Sequence, residues 1–538
     1  MVLALAAGCN RPRCQRRDPT DASVTTTTQY GNPTGAAGYK VQCSGWYPDW
    51  ISNAPPTADQ RSFQLAQGYP LGVPQLVALP DGKLKIDHYD PYPPANDAIE
   101  APWLPLDPKA AADQPAYLEA LKAYLLEGNT GAADVEDDFV AQRNTRRSWF
   151  HVPMLTTNTS KRREPRHGLT AERLLRDDEH PWIKNGSGGL RSFAIGAYNW
   201  LGGYTIGQVF KDPDPALADP AAARFIEGAF VFKLLFAEYD PAKIEPALDP
   251  LVGSPEWRVQ DVTTGAEVKV RLLQVDVAVR DADAGPTGWV FATFVYDKAM
   301  AAPSPWAKLR PVGLMWGNGI GANLETWLAP GIPSNLARED GLPYGRAGRL
   351  NGPVDNPTSS CLSCHGTAQI IVGGHGNSPA VIDAARGVGL FPPAACTDAE
   401  DQVWFRNVVA GAPFGLMTAG GAGCALAPTQ PGTPPMYGLD YSLQLADALE
   451  SALVRDNRNP CAATAEQLRD VAIVDAPVGD AHAMAALRER LSAKRLREFG
   501  PRLRQDLPRG LTRAAAAAKV IPLATPPAEQ DSAATHQR

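Results

Sequence analysis

The run Cys361-Leu362-Ser363-Cys364-His365 places two thiols and an imidazole within five residues. Thiols three positions apart can add across the two vinyl groups of a haem while the next residue presents its imidazole to the iron. With 8 cysteines and 8 histidines in 538 residues, that order would arise by chance roughly 0.002 times per chain, so it is read as chemistry rather than coincidence. Two other uses of the residues are weaker. Half a zinc knuckle would need a second Cys/His pair at ligand spacing, and a redox dithiol leaves His365 unexplained. The motif therefore implies one covalent haem c, with Cys361 and Cys364 as its attachment points and His365 as an iron ligand.

The motif resembles that of the class I cytochromes c, and the resemblance implies an all-α cytochrome c-like domain over about 341–460. That family supplies a Met as second axial ligand from a loop shortly before its last helix. Met436, in Pro434-Pro435-Met436-Tyr437, has this position; Met417, in Gly415-Leu416-Met417, competes with it, and a site with neither is the third possibility. The lead-in from Gly348 to Cys361, with Trp149–Pro153, His167–Arg173 and Asp440–Leu445, is similar to a group of large, uncharacterised exported bacterial proteins carrying one such motif. That likeness implies a shared architecture and no substrate. Arg349 and Asn351 could bond the carboxylate side chains of a haem. Equally, the segment is a Gly/Pro/Asn turn with Arg349 in an ordinary ion pair.

The elements ahead of the motif read as strands. Phe230, Phe232, Leu234 and Phe236 alternate along 228–236, and in 273–280 the Val residues face one way while Gln274, Asp276 and Arg280 face the other. Thr287–Tyr296 and Arg310–Trp316 continue the series without intervening helices, which predicts a mainly antiparallel, sandwich-like β domain over 41–340. One helical patch is expected at Pro115–Glu127. Beyond the motif, Thr397 and Glu400 have capping-box spacing ahead of Val403, Trp404, Phe405 and Val408, and Asp440 is read as the N-cap of a helix to about Val454. A charged helical extension is expected over 461–520 and a disordered tail over 521–538. The expectation is thus a multidomain chain, β-rich first and all-α around the haem.

His151, His167, Glu172 and Asp276 invite a metal or acid/base reading, but without ligand-like spacing they are taken as structural. A formal net charge of −7 over this length gives no basic stripe and no reason to expect nucleic acid. No stretch reaches the roughly 18–20 apolar residues of a membrane span. Met1–Cys9 resembles the end of a lipoprotein signal peptide, so residues 1–40 are expected to be signal and tether, with the only membrane attachment through lipid at Cys9. Location in the periplasm or cell envelope and a redox partner of unknown identity follow from this reading. Cys14, Cys43, Cys396, Cys424 and Cys461 remain; Cys396 with Cys424 is the first candidate disulfide.

Overall fold

The computed structural model describes residues 39–40, 68–69, 73–78, 84–90, 101–130, 139, 141, 144, 146–152, 169–211, 218–260, 267–319, 323–332, 344–371, 403–416, 425–426 and 435–455. Two small antiparallel ribbons come first: β1 (Tyr39–Lys40) with β2 (Gly68–Tyr69), and β3 (Val73–Ala78) with β4 (Leu84–Asp90). Helix α1 (Gln114–Leu126) follows, then β5 (Thr170–Ala171), β6 (Ser192–Tyr198) and α2 (Trp200–Val209). Strands β7 (Phe230–Glu238), β8 (Glu256–Gln260), β9 (Glu267–Arg280), β10 (Trp289–Tyr296), β11 (Leu309–Met315) and β12 (Thr326–Leu328) complete the main sheet. The four long runs read from alternation are all strands, and the helical patch is α1.

Pairing is antiparallel throughout, in the order β12-β11-β10-β9-β7-β6-β5, with β8 on the first half of β9. The 14-residue β9 is the spine, flanked by β7 along one edge and by β8 and β10 end to end along the other. Opposite Leu235/Phe236 the register skips Leu273, so β9 carries an extra residue. Such a bulge reverses the alternation of the faces beyond it. Val270 and Leu272 before it, and Val275, Val277 and Val279 after it, therefore share one core, while Gln274 and Asp276 are aimed at the opposite face. A second bulge leaves Val312 unpaired between Gly313 and Pro311, and a proline without an N–H is tolerated in such a place.

Both faces of this sheet are covered. On one, Tyr117, Leu118, Leu121, Tyr124 and Leu125 recur at helical spacing on α1 and pack with Trp103 and Trp149 against Phe230, Phe232 and Val277. On the other, Trp289, Phe291 and Val295 of β10 meet α2 and residues of the 344–455 segment, among them Cys361, Leu362, Ile370, Leu439 and Leu445. Asn199 holds this layer by capping α2 through Gly202 N and by accepting from Phe230 N of β7.

The expectation of a β sandwich is corrected to one eight-stranded sheet between two covering layers. The all-α cytochrome c-like domain is corrected as well. The described part of that segment holds a 3-10 turn (Arg346–Gly348), α3 (Cys361–His365), a ribbon of β13 (Gln369–Ile371) and β14 (Met436–Gly438), and α4 (Leu443–Leu449), which runs on as a π-helical turn, Glu450–Arg455. The apolar residues that suggested a helix over 403–408 form turns, with Trp404, Phe405 and Val408 buried by tertiary packing. Thr397 and Glu400 lie outside the described residues, as do 461–538 and every cysteine other than the motif pair. The chain divides between Val474 and Asp475, and all described residues belong to the first unit.

Asp440 also departs from its expected role. Ser442 caps α4, its Oγ accepting from Leu445 N, whereas Asp440 adopts φ +48° and turns its carboxylate into the sheet layer. There it accepts from Phe225 N at 2.8 Å and Trp289 Nε1 at 3.1 Å, with its side chain only 2% exposed. Removing that acceptor strands two buried donors. Asp440→Ala should lower unfolding free energy by roughly 3 kcal/mol, with Asp440→Asn losing less because one acceptor survives. Urea midpoints at an unchanged m-value would show this; a loss within experimental error for the Ala variant would remove the carboxylate from the account.

Candidate functional site

Helix α3 is too short to be stable alone and is fixed at its first turn. Ser360 accepts from Ser363 N, and Ser363 Oγ accepts in return from Ser360 N, a reciprocal capping box. The Ser360 hydroxyl donates to Asn318 Oδ1 at 3.0 Å. Asn318, just past β11, also accepts from Arg349 Nε through its carbonyl and donates through Nδ2 to the Arg406 carbonyl. One asparagine thus ties the cap, the lead-in and the 403–416 segment together. Cys361 N donates to the Leu350 carbonyl, closing the lead-in onto the helix.

His365 lies with its ring 4.9 Å from that of Phe291 on β10. Its Nδ1 is 2.8 Å from the carbonyl of Tyr441, which can only accept, so Nδ1 carries the proton and Nε2 carries the lone pair. Burial lowers the imidazole to about 4 despite that bond, which keeps the ring neutral at physiological pH. A neutral ring with one nitrogen locked to a carbonyl and the other free to coordinate is the arrangement of a metal-ligating histidine. Cys361 and Cys364 are both free thiols. Burial pushes Cys361 far up, helped by the charges of Asp276 and Asp355, and takes Cys364 to about 12. A dithiol exchanger needs a depressed attacking thiol, so this environment speaks against that use of the pair.

Beneath α3 the sheet offers polar side chains where an interior face would ordinarily be apolar. Gln274, fully buried, accepts from Val354 N at 2.8 Å through Oε1, which fixes Nε2 toward the carboxylates of Asp276 and Asp355. Thr293 Oγ1 donates to Asp276 Oδ1 at 2.8 Å and Gly352 N donates to Asp355 Oδ2 at 2.9 Å. Lys233 on β7 pairs with Glu172 at 2.8 Å. Burial works against its ammonium, but Glu172, Asp355 and Asp276 outweigh that and raise Lys233. Both aspartates are raised by burial, and Asp276 further by the facing Asp355.

Of the expected site residues, Cys361, Cys364 and His365 share one helix as the motif requires. Arg349 is 3% exposed, with Nε on the Asn318 carbonyl and its guanidinium 4.2 Å from the Phe405 ring centroid. It has no carboxylate partner among the described residues, so the ordinary ion pair is not what holds it. Asn351 donates to the Asn356 carbonyl and sits 3.8 Å from Cys361 Sγ through its Oδ1, shaping the turn. Met436 is partly exposed on β14, paired with Ile371. Met417 and His167 lie outside the described residues. Glu172 and Asp276 do converge, through Lys233, while His151 donates through Nδ1 to the Gly196 carbonyl instead. Among the described residues no group of three or more His, Cys, Asp or Glu could hold a metal ion without a further cofactor.

Sequence reasoning missed Lys233, Gln274, Thr293 and Asp355 as companions of the motif. The polar side of β9 was visible, but a polar face on a strand reads as solvent-facing until the covering segment is known. Comparison with known proteins adds no relative: no protein family, curated protein or solved structure matches this chain.

His180 supports the lead-in from below, bonding the main chain at Pro353, and burial lowers it to about 4 while its Nε2 has no partner. A base depressed below its unfolded value near 6.5 contributes stability that is present above pH 6.5 and lost as pH falls toward 4. The thermal midpoint should therefore fall between pH 6.5 and 4, less steeply in His180→Gln. Equal slopes in the two proteins would exclude His180 as a source of the acid sensitivity.

Proposed function

We propose that this chain is an exported c-type haem protein that passes single electrons, with one haem bound covalently at Cys361 and Cys364 and its iron held by His365. The observation that carries this reading is the His365 ring, locked through Nδ1 to the Tyr441 carbonyl with Nε2 left to coordinate, on the same short helix as two free thiols. When bound, the haem supplies one-electron chemistry through Fe(III)/Fe(II). The protein's part is to bind and orient it. Cys361 and Cys364 fix two edges, the Tyr441 carbonyl sets the imidazole tautomer and strengthens it as a donor, and Phe291 packs the ring and excludes water. Arg349, buried and without a carboxylate partner among the described residues, would take a haem carboxylate, its neighbour Leu350 being hydrogen-bonded to Cys361 N.

Attachment of such a haem outside the cytoplasm makes the periplasm or cell envelope the proposed location, with lipid at Cys9 as the proposed anchor. Intact-mass measurement of denatured protein from its native membrane should give one retained haem and an N-terminus at lipidated Cys9. Retention should disappear in Cys361→Ala/Cys364→Ala. Haem that leaves wild-type protein in acid acetone would sink the covalent assignment.

A second reading, a haem enzyme or gas sensor with an open sixth position, gains support from one observation. Met436 stands in a strand paired with Ile371 of β13 rather than in the loop from which a sixth ligand is expected. If Met436 is nevertheless the ligand, the ferric spectrum will be low-spin with a sulfur-ligation band lost in Met436→Ala. A high-spin ferric spectrum that binds carbon monoxide on reduction, unchanged by that substitution, would select the open site instead.

A further inference from the structure

The carboxylates of Asp276 and Asp355 meet at a single nitrogen. Gln274 Nε2 lies 2.7 Å from Asp276 Oδ2, 2.9 Å from Asp276 Oδ1 and 2.8 Å from Asp355 Oδ2. An amide NH2 has two hydrogens for these three oxygens. The amide cannot turn over to relieve the crowding, because Oε1 is taken by Val354 N and the side chain is sealed. The pair is also short of cations. Lys233 serves Glu172 at 2.8 Å, and Arg173 is spent on Glu179 and on the main-chain carbonyl of Asp355. Two like charges so close, with the nearest ammonium shared, hold one proton between them more readily than none.

A separate observation places this pair at the motif. The Thr293 hydroxyl that donates to Asp276 also contacts the Cys361 thiol, and Asp355 follows the Gly352 turn that leads into α3. The cluster reaches solvent, since the Lys233 and Glu172 side chains remain 32% and 24% exposed. A proton site thus lies one hydroxyl away from the first attachment thiol and within reach of water.

We propose that Asp276 and Asp355 form a proton-binding site that takes up one proton when the haem at Cys361, Cys364 and His365 is reduced and releases it on oxidation, an assignment that rests on the haem reading above. When a one-electron donor reduces the bound haem, a carboxylate oxygen of the pair would form an O–H bond with a proton from solvent hydronium, leaving water. The net charge of the site is then unchanged, which is what a poorly solvated pocket favours. The titratable and charged groups facing the pair are Glu172 and Arg173 beyond β5, Lys233 on β7, His180 beside Pro353, and Cys361 and Cys364 on α3.

The test is the midpoint potential of the haem-loaded full chain between pH 5 and 9, measured by spectroelectrochemistry on wild type, Asp276→Asn and Asp355→Asn. Wild type should fall in potential as pH rises, approaching a tenfold change in the Fe(III)/Fe(II) equilibrium per pH unit, about 59 mV. Asp355→Asn, which keeps its size and its contacts to Gln274, should be nearly flat. Infrared difference spectra on reduction of wild type should show a protonated-carboxyl band that shifts in heavy water, an arm that stands even if a variant does not fold. A flat wild-type profile, no such band, or an unchanged slope in both Asn variants overturns the proposal and leaves the haem reading intact. Protein that carries no haem overturns both.

Discussion

A sheet that is apolar on both faces has to be covered twice, and most of this architecture follows from that requirement. Phe230, Phe232 and Val277 point to one side of the same strands whose Val231, Leu235 and Phe291 point to the other. Helix α1 and the Trp103–Trp149 aromatics cover the first face; α2 and the motif segment cover the second. Burying a large aliphatic or aromatic side chain is worth roughly 2 kcal/mol, so a segment supplying Leu362, Ile370, Leu439 and Leu445 is part of the fold's stability and not an appendage to it. The motif is therefore positioned by the strands beneath it, with Phe291 and Thr293 of one strand touching His365 and Cys361.

Within that second face the polar residues are the costly exception. Burial of carboxylates is unfavourable unless hydrogen bonds or a proton compensate. Gln274, Thr293 and Gly352 N supply the bonds, Lys233 adds positive charge nearby, and the bulge at Leu273 is what turns Gln274 and Asp276 away from the Val270/Leu272 core toward the motif. A fold that spends a bulge, a sealed glutamine and a half-buried lysine on one spot is organised around that spot.

The strands were legible because alternation is a local property: each of the four long runs carries its own period-2 pattern, and α1 its own 3.6-residue one. The motif was legible because its spacing is set by covalent chemistry. The rest depended on partners distant in sequence. A twice-covered sheet reads as near-continuous apolar runs, as in the fully buried β10, whereas the alternating end of β9 reads as a sandwich strand. Trp404, Phe405 and Val408 have helical spacing, yet Gly411 at φ +72° and Gly415 at φ +107° end the segment in turns that tertiary packing holds. Asp440 looks like a cap because Asp often is one; its actual partners, Phe225 and Trp289, are more than 150 residues away. Likewise Lys233 and Asp276 carry no motif, and only the pairing of β7 with β9 sets them opposite each other.

That dispersal bears on how the protein is made. The residues around the motif come from β7, β9, β10, the 351–355 turn and Tyr441, so the pocket closes only after contacts as distant in sequence as that of Phe225 with Asp440, 215 residues apart. Contacts of such range form slowly, because a long loop must be ordered before it is rewarded. In the finished fold Cys361 is 8% exposed and held as the unreactive thiol. On the proposed reading, chemistry at that sulfur belongs to the interval before closure, and the slow topology of the sheet is what keeps that interval open. A chain that folded faster would seal its thiols before they had been used.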